Sequence, residues 1–250
     1  MMIDIQKILP EIVDIARVAG SLIMTHYKAD GVVYRKDDAS PVTEADRVAD
    51  RIIVERLKQI TPDIPIVSEE GEKPDVTHAE YFWLVDPLDG TKSFIRGNGY
   101  FTVNIALIEK HQNPVLGVIY DPANKAMYYG SGEGAFREHD GVCESIHVRA
   151  KQKPMTALIS HSHIDKTTED YLSVRHVEKR IPCASSIKFC LLAEGRADVY
   201  PRFGPTMEWD IAAGHAILLA AGGQLTTSGG QPFLYGKEKF LNGNFIAVGK

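Results

Sequence analysis

The sequence predicts an α+β fold: helices laid on a largely antiparallel sheet over residues 1–150, then a smaller α/β half over residues 151–250. Three observations carry this expectation. Two amphipathic helical stripes open the chain, a train of short apolar or alternating runs broken by Gly, Pro and Asn fills residues 64–148, and strand and helix patterns alternate from Thr156 onward. At 250 residues and 44% hydrophobic content the chain can bury a substantial core.

The first stripe is Ile5, Ile8, Ile12, Ile15, Ala19, Leu22 and His26, at spacings of three and four. Pro10 either kinks this helix or marks its start. A second helix runs from about Thr43 to Ile60 and turns Ala45, Ala49, Ile52, Ile53 and Leu57 inward; the polar stretch between, Tyr34 to Pro41, reads as an exposed, mobile loop. Strands follow in PIVSEE, YFWLVDP, FTVNIALIE, VLGVIYDP, AMYYG and GAFRE. Beyond Thr156 the order is a strand in TALISHS, helices near Asp165–Ser173 and Ser185–Glu194, a strand in ADVYPRF, a helix near Asp210–Ala221 and a strand in GQLTT.

Composition removes several classes of function. A net charge of -5 with no Lys/Arg stripe argues against a nucleic-acid polymer as partner. A small anionic substrate stays compatible, because divalent cations gathered by acidic residues reverse the local charge. Cys143, Cys183 and Cys190 show no C-x-x-C spacing and cannot all pair, which fits a reducing cytoplasm better than a disulfide framework or zinc knuckle. Asp4, Glu11 and Asp14 make the N-terminus unlike a secretory signal, and no run is long and apolar enough to span a bilayer. The expectation is a cytoplasmic protein, with peripheral attachment to the cytoplasmic face of the inner membrane as the alternative; oligomeric state is left open.

The chemistry concentrates at Trp83–Phe94, WLVDPLDGTKSF, where an apolar strand runs into two carboxylates three residues apart. Pro87 and Gly90 favour a tight turn that aims Asp86, Asp89 and the Leu88 carbonyl at one ion, and oxygen-only ligands suit magnesium. A short helix opening near Thr91 would turn backbone N–H groups toward a phosphate. For a lone Asp-Gly pair, a capped turn is the ordinary reading. The dehalogenase-type D-x-D-G-T is disfavoured because two residues, not one, separate Asp86 from Asp89. Thr43-x-x-Asp46 has the form of a helix capping box. Asp210, before an apolar helix, has the form of an N-cap. His161 and His163 form an H-x-H pair, but two such residues supply no third zinc ligand. His215, five residues past Asp210, should point away from it and be structural.

Taken together, WLVDPLDGTKSF, SPVTEAD (Ser40–Asp46), SEE (Ser68–Glu70) and WDIAAG (Trp209–Gly214) resemble, in order, the metal-binding signatures of the inositol monophosphatase superfamily. The resemblance implies a layered αβαβα sandwich of the sugar-phosphatase type. It also implies two or three Mg²⁺ ions held by Glu69, Asp86, the Leu88 carbonyl, Asp89 and Asp210, and inhibition by lithium. In such a site Asp46 polarises the Thr91 hydroxyl, which orients a magnesium-activated water for direct attack, with Glu69 also in the catalytic set.

Ala184–Tyr200 and the PRFGPTMEWD that follows resemble the bisphosphate nucleotidase branch more than the inositol phosphatases. That branch implies a small phosphorylated substrate, 3'-phosphoadenosine 5'-phosphate, whose 3'-phosphate is removed to give AMP. Ser185, Lys188 and Arg202 match positions that contact its second phosphate, a task for which a planar guanidinium is well shaped. Leu88, Asp89, Gly90, Thr91, His163 and Asp210 complete the implied substrate contacts. As bland readings, Lys188 and Arg202 are solvated surface charges and Glu69 a solvated carboxylate. The functional alternatives are an inositol monophosphatase, a fructose-1,6-bisphosphatase, or a catalytically silent nucleotide sensor.

Overall fold

A computed structural model describes residues 3–27, 33–35, 41–110, 112–161 and 164–250. The chain begins with α1 (Ile5–His26), a ribbon of β1 (Val33–Arg35) and β2 (Pro41–Thr43), and α2 (Glu44–Ile60). Next come β3 (Ile66–Ser68), β4 (Tyr81–Asp89), α3 (Thr91–Ile95), β5 (Thr102–Glu109), β6 (Pro114–Asp121), β7 (Ala126–Ser131), β8 (Gly134–His139) and β9 (Val142–Ile146). The remainder is β10 (Thr156–Ser160), α4 (Lys166–Val174), β11 (Lys179–Cys183), α5 (Ile187–Ala193), β12 (Val199–Arg202), β13 (Thr206–Met207), α6 (Glu208–Ala220), β14 (Gln224–Thr227), a 3-10 turn, β15 (Leu241–Asn242) and β16 (Phe245–Val248).

One sheet runs β3 to β9 in chain order, parallel at β3/β4 and antiparallel after that; the other runs β11-β10-β12-β16-β14. Strand side chains alternate between faces, and the three cores record that alternation. Trp83, Val85, Val103, Ile105 and Leu107 pack with α1 and α2, whereas Phe82, Leu84, Ala106 and Ile108 turn the other way, toward α5, α6, Tyr200, Phe245 and Ala247. On the far side of the second sheet, Ala157, Ile159 and Val199 pack on Leu172 of α4. The layers are α1/α2, seven-stranded sheet, α5/α6, five-stranded sheet and α4: the αβαβα sandwich the sequence implies.

Helix α6 is buried on nearly every side because it lies between two sheets, so its pattern is apolar all round. That placement explains the small residues after Asp210. A Cβ on Gly117 of β6 would come within 2.3 Å of the Ala213 carbonyl, and one on Gly214 within 2.5 Å of the Phe189 ring.

Several readings need correction. Helix α1 continues through Pro10, which is exposed, so the Gln6 carbonyl it cannot bond lies on the solvent side. The buried seam of α1 is wider than the stripe, with Val13, Ala16, Gly20 and Ile23 inside and Leu22 only half-buried. Tyr34, Arg35 and Pro41, read as the ends of a loop, belong to the β1/β2 ribbon, and the rest of that stretch, residues 36–40, lies outside the described residues. Strands β9, β11, β13, β15 and β16 have no counterpart in the sequence reading. Two of these, β9 and β11, are sheet edges, where exposed and charged residues and Pro182 dilute the apolar signal.

Candidate active site

Four segments converge on one end of the first sheet. Glu69 follows β3 directly, and its N–H donates to the Val85 carbonyl at 3.0 Å, which fixes it beside the end of β4. Between Asp86 and Asp89 the β4/β5 register shifts, at the point where Pro87 has no N–H to give the ladder. The Leu88 N–H donates to Asp86 Oδ1 at 3.1 Å. Gly90 then turns the chain into α3 with a φ of 97°, a conformation costly for any other residue, and a Cβ there would meet the Tyr100 carbonyl at 2.6 Å. Asp210 arrives from the opposite layer on α6. The N-cap there is Met207, not Asp210 as the sequence suggested; Asp210 is the third helical residue, and its Oδ2 accepts from the Met207 N–H at 2.7 Å.

Glu69, Asp86 and Asp210 bring carboxylate oxygens within 4.8 Å of one another. Burial, then the neighbouring Glu69, Asp89 and Asp210 charges, push the Asp86 carboxyl well above the usual range. Burial and the Asp89 charge push Asp210 up to about 8. Asp89 is raised to about 6 by burial, against the opposing pull of Lys188 and the Ser186 N–H. Like charges this close hold protons unless a cation replaces them. An all-oxygen set with this electrostatic deficit fits a hard divalent cation, with Asp89 just outside the tight triad and the Leu88 carbonyl beside Thr91.

Asp46 makes the contacts of both roles, capping and Thr91 pairing, that the sequence allowed to hold together. Its Oδ2 accepts from the Thr43 N–H at 2.7 Å and the Thr43 hydroxyl at 2.6 Å, closing the capping box of α2. Its Oδ1 accepts from the Thr91 hydroxyl at 3.0 Å, and the Leu88 carbonyl lies 3.2 Å from that same hydroxyl. Burial raises the Asp46 carboxyl, while the hydrogen bonds from Thr43 and Thr91 pull it back down.

The candidate substrate residues stand as follows. Lys188 is buried, not solvated: its Nζ donates to the Ser185 carbonyl at 2.6 Å, and burial lowers its pKa. Ser185 sits in the left-handed region with its hydroxyl buried and unpartnered, and Arg202 has a buried, unpartnered Nε. Asp89, Asp210 and Arg202 all act on the Lys188 charge, and Arg202 and Asp89 on that of Asp210. His163 lies outside the described residues, and His161 sits past the end of β10 with its ring 5.6 Å from that of Tyr100. His215 is buried, bonded through Nδ1 to the Tyr235 hydroxyl at 2.9 Å.

Residues that hold the site, without being evident from the sequence, form a second tier. Lys73 donates to the Gly71 carbonyl at 2.9 Å, to the Glu69 carbonyl at 3.1 Å and to the Ser68 carbonyl, and lies over the Trp209 ring at 4.9 Å. It thereby clasps the Glu69 turn to the residue before Asp210. Glu208, fully buried, braces the Gly236 and Lys237 backbone. Asn104 and Ser186 are also buried at the site; a polar residue inside the apolar run FTVNIALIE was the one available signal.

A chain with this sandwich and this carboxylate cluster is one of the inositol monophosphatase family, to which it belongs: the family pattern matches residues 4–248. Enzymes of this family use divalent metal ions. The chain is similar to the 3'(2'),5'-bisphosphate nucleotidase CysQ of Salmonella typhimurium, 48% identical over 242 residues that cover 95% of this chain and 98% of the relative. The Escherichia coli K12 protein of the same name is 46% identical over 244 residues, 95% of this chain and 98% of the relative. Among solved structures, CysQ from Bacteroides thetaiotaomicron superposes with a TM-score of 0.83 at 41% identity, covering 95% of each chain. Thermotoga maritima IMPase gives 0.78 at 30% identity, covering 96% of this chain and 91% of that one.

Proposed function

We propose that the protein is a magnesium-dependent phosphomonoesterase that removes the 3'-phosphate of 3'-phosphoadenosine 5'-phosphate to give AMP. The observation that carries the reaction class is the Glu69, Asp86 and Asp210 cluster, within 4.8 Å, set beside the Asp46–Thr91 hydrogen bond. These three carboxylates, with Asp89 and the Leu88 carbonyl, would hold two or three Mg²⁺ ions. When bound, the metal supplies Lewis-acid charge opposite the phosphoryl and leaving oxygens.

The protein's own groups do the rest. By accepting the Thr91 proton, Asp46 leaves the Thr91 oxygen free to accept from a water and aim it in line with the ester. Gly90 allows close backbone approach to the phosphate. Lys188, Arg202 and the Ser185 hydroxyl offer donors for a second phosphate, and the buried, unpartnered Arg202 Nε and Ser185 Oγ support that reading because such groups are costly unless a ligand completes them. His163 is proposed as a further substrate contact. Most metal motifs then belong to residues 1–150 and the specificity elements to 151–250, with Asp210 reaching across. The named activity of the bacterial relatives supports the same substrate. Among the described residues no helix is long and apolar enough to cross a membrane. Cys143, Cys183 and Cys190 are all free thiols, which supports assigning the activity to the reducing cytoplasm.

A phosphate-release screen with phosphoadenosine phosphate, inositol 1-phosphate and fructose 1,6-bisphosphate, with and without Mg²⁺, tests the proposal. The nucleotide should be turned over at least about tenfold faster than the others in kcat/KM, a difference of about 1.4 kcal/mol in transition-state binding. Faster hydrolysis of inositol 1-phosphate would overturn the substrate assignment.

A further inference from the structure

One carboxylate of the cluster is held from the opposite layer. Ser186, at the start of α5, donates its backbone N–H to Asp89 Oδ2 at 2.6 Å. The Ser186 hydroxyl donates to Asn104 Oδ1 at 2.7 Å, so its oxygen can only accept from the Thr102 hydroxyl, 2.8 Å away. All three side chains are buried, at 0% exposure for Thr102, 1% for Asn104 and 2% for Ser186. The bonds therefore run one way, from Thr102 through Ser186 to Asn104. The Asn104 amide nitrogen is buried short of a full hydrogen bond. Thr102 pairs across the strands with Asp89, and Asn104 with Asp86, so both sit beside the register shift that aims those carboxylates.

We propose that Thr102, Asn104 and Ser186 are positioning residues for the cation site: they lock the α5 start onto β5, so that the Ser186 N–H occupies Asp89 Oδ2 and leaves Oδ1 as the oxygen presented to a cation. The physical basis is preorganisation. A buried chain of directed hydroxyl hydrogen bonds favours a single geometry, and loss of one hydroxyl leaves its neighbours short of partners. Because Ser186 directly follows Ser185 and lies two residues before Lys188, the same chain ties the substrate-facing turn of α5 to a metal carboxylate. Occupancy of one then favours the other reciprocally.

The inference rests on Asp89 acting as a cation ligand, and the test separates the two. Mg²⁺ alone is titrated calorimetrically into the wild-type protein, Ser186→Ala, Thr102→Val, Thr102→Ser, Asp89→Asn and the Ser186→Ala/Asp89→Asn double variant. Ser186→Ala and Thr102→Val should weaken Mg²⁺ binding about three- to tenfold, the range expected for one net hydrogen bond. Thr102→Ser, which keeps the hydroxyl, should restore most of it. In the Asp89→Asn background Ser186→Ala should have no further effect. In turnover of phosphoadenosine phosphate by the single variants Ser186→Ala and Thr102→Val, the Mg²⁺ concentration for half-maximal rate should rise while kcat at saturating Mg²⁺ stays within about twofold of wild type. If Asp89→Asn binds Mg²⁺ like the wild type, the ligand reading fails. If Asp89→Asn loses affinity but Ser186→Ala and Thr102→Val do not, or if the Ser186 and Asp89 effects simply add, the positioning role is overturned.

Discussion

Replacing Asp46 by Asn separates the two duties of that side chain. In the native site Oδ2 takes both Thr43 donors and Oδ1 takes the Thr91 proton. An amide oriented with its oxygen toward Thr43 keeps the cap, but its NH₂ then faces Thr91 Oγ1, two donors opposed across 3.0 Å. The Thr91 proton must turn to the Leu88 carbonyl, 3.2 Å away, and the Thr91 oxygen accepts from the amide instead of from a water. The stability change should be small, about 1 kcal/mol at most for a retained neutral cap, or about 2–4 °C in Tm for a chain of this size. The rate should suffer far more, by about 10²- to 10⁴-fold in kcat, the usual contribution of a positioned proton acceptor. Thr43→Val is the matched control: it removes a capping hydroxyl, with about 1 kcal/mol lost, and should lower kcat less than tenfold. The assay is phosphate release from phosphoadenosine phosphate at saturating Mg²⁺, with thermal unfolding in parallel. An Asp46→Asn protein with kcat within about threefold of wild type would refute the reasoning.

Three further outcomes follow from the same electrostatics. Asp89→Asn should abolish Mg²⁺-dependent turnover while leaving the cation-free protein at least as stable as wild type, because it removes one repelling charge; unchanged turnover by phosphate release would contradict this. Asp210, raised to about 8, and Asp89, raised to about 6, bind more protons in the folded than in the unfolded chain between about pH 4 and 8, so stability without cation falls as pH rises through that window. Mg²⁺ should therefore raise Tm more at pH 8.5 than at pH 5.5, and equal shifts in a thermal scan would count against the cluster. Lys188→Met and Arg202→Ala should each lower kcat/KM for the bisphosphate by about 10- to 100-fold while changing turnover of a singly phosphorylated substrate much less, and equal losses would deny them the second phosphate.

The elements most legible in the sequence were those with a strong period or a local turn. The two N-terminal helices and the central strands carry apolar residues at fixed spacing, and WLVDPLDGTKSF encodes its own bend through Pro87 and Gly90. Edge strands were not legible. Residues 142–145 of β9 are exposed, and β11 reads KRIPC, so neither buries enough apolar surface to stand out. Asp46 was legible as a cap and, through resemblance, as a partner of Thr91, with both roles allowed at once; which oxygen meets which partner was not legible, because the Thr91 contact spans 45 residues. The burial of Lys188 was hidden as well, because nothing in its neighbours discloses that α5 lies between two sheets. The same holds for Lys73 and Ser186, whose partners belong to distant segments.

The convergence of Glu69, Asp86 and Asp210 on a divalent cation is most directly tested by anomalous diffraction from crystals soaked in Mn²⁺. A peak within bonding distance of carboxylate oxygens from all three residues is the predicted result. A protein that binds Mn²⁺ only elsewhere, leaving that cluster without a peak, would contradict the account.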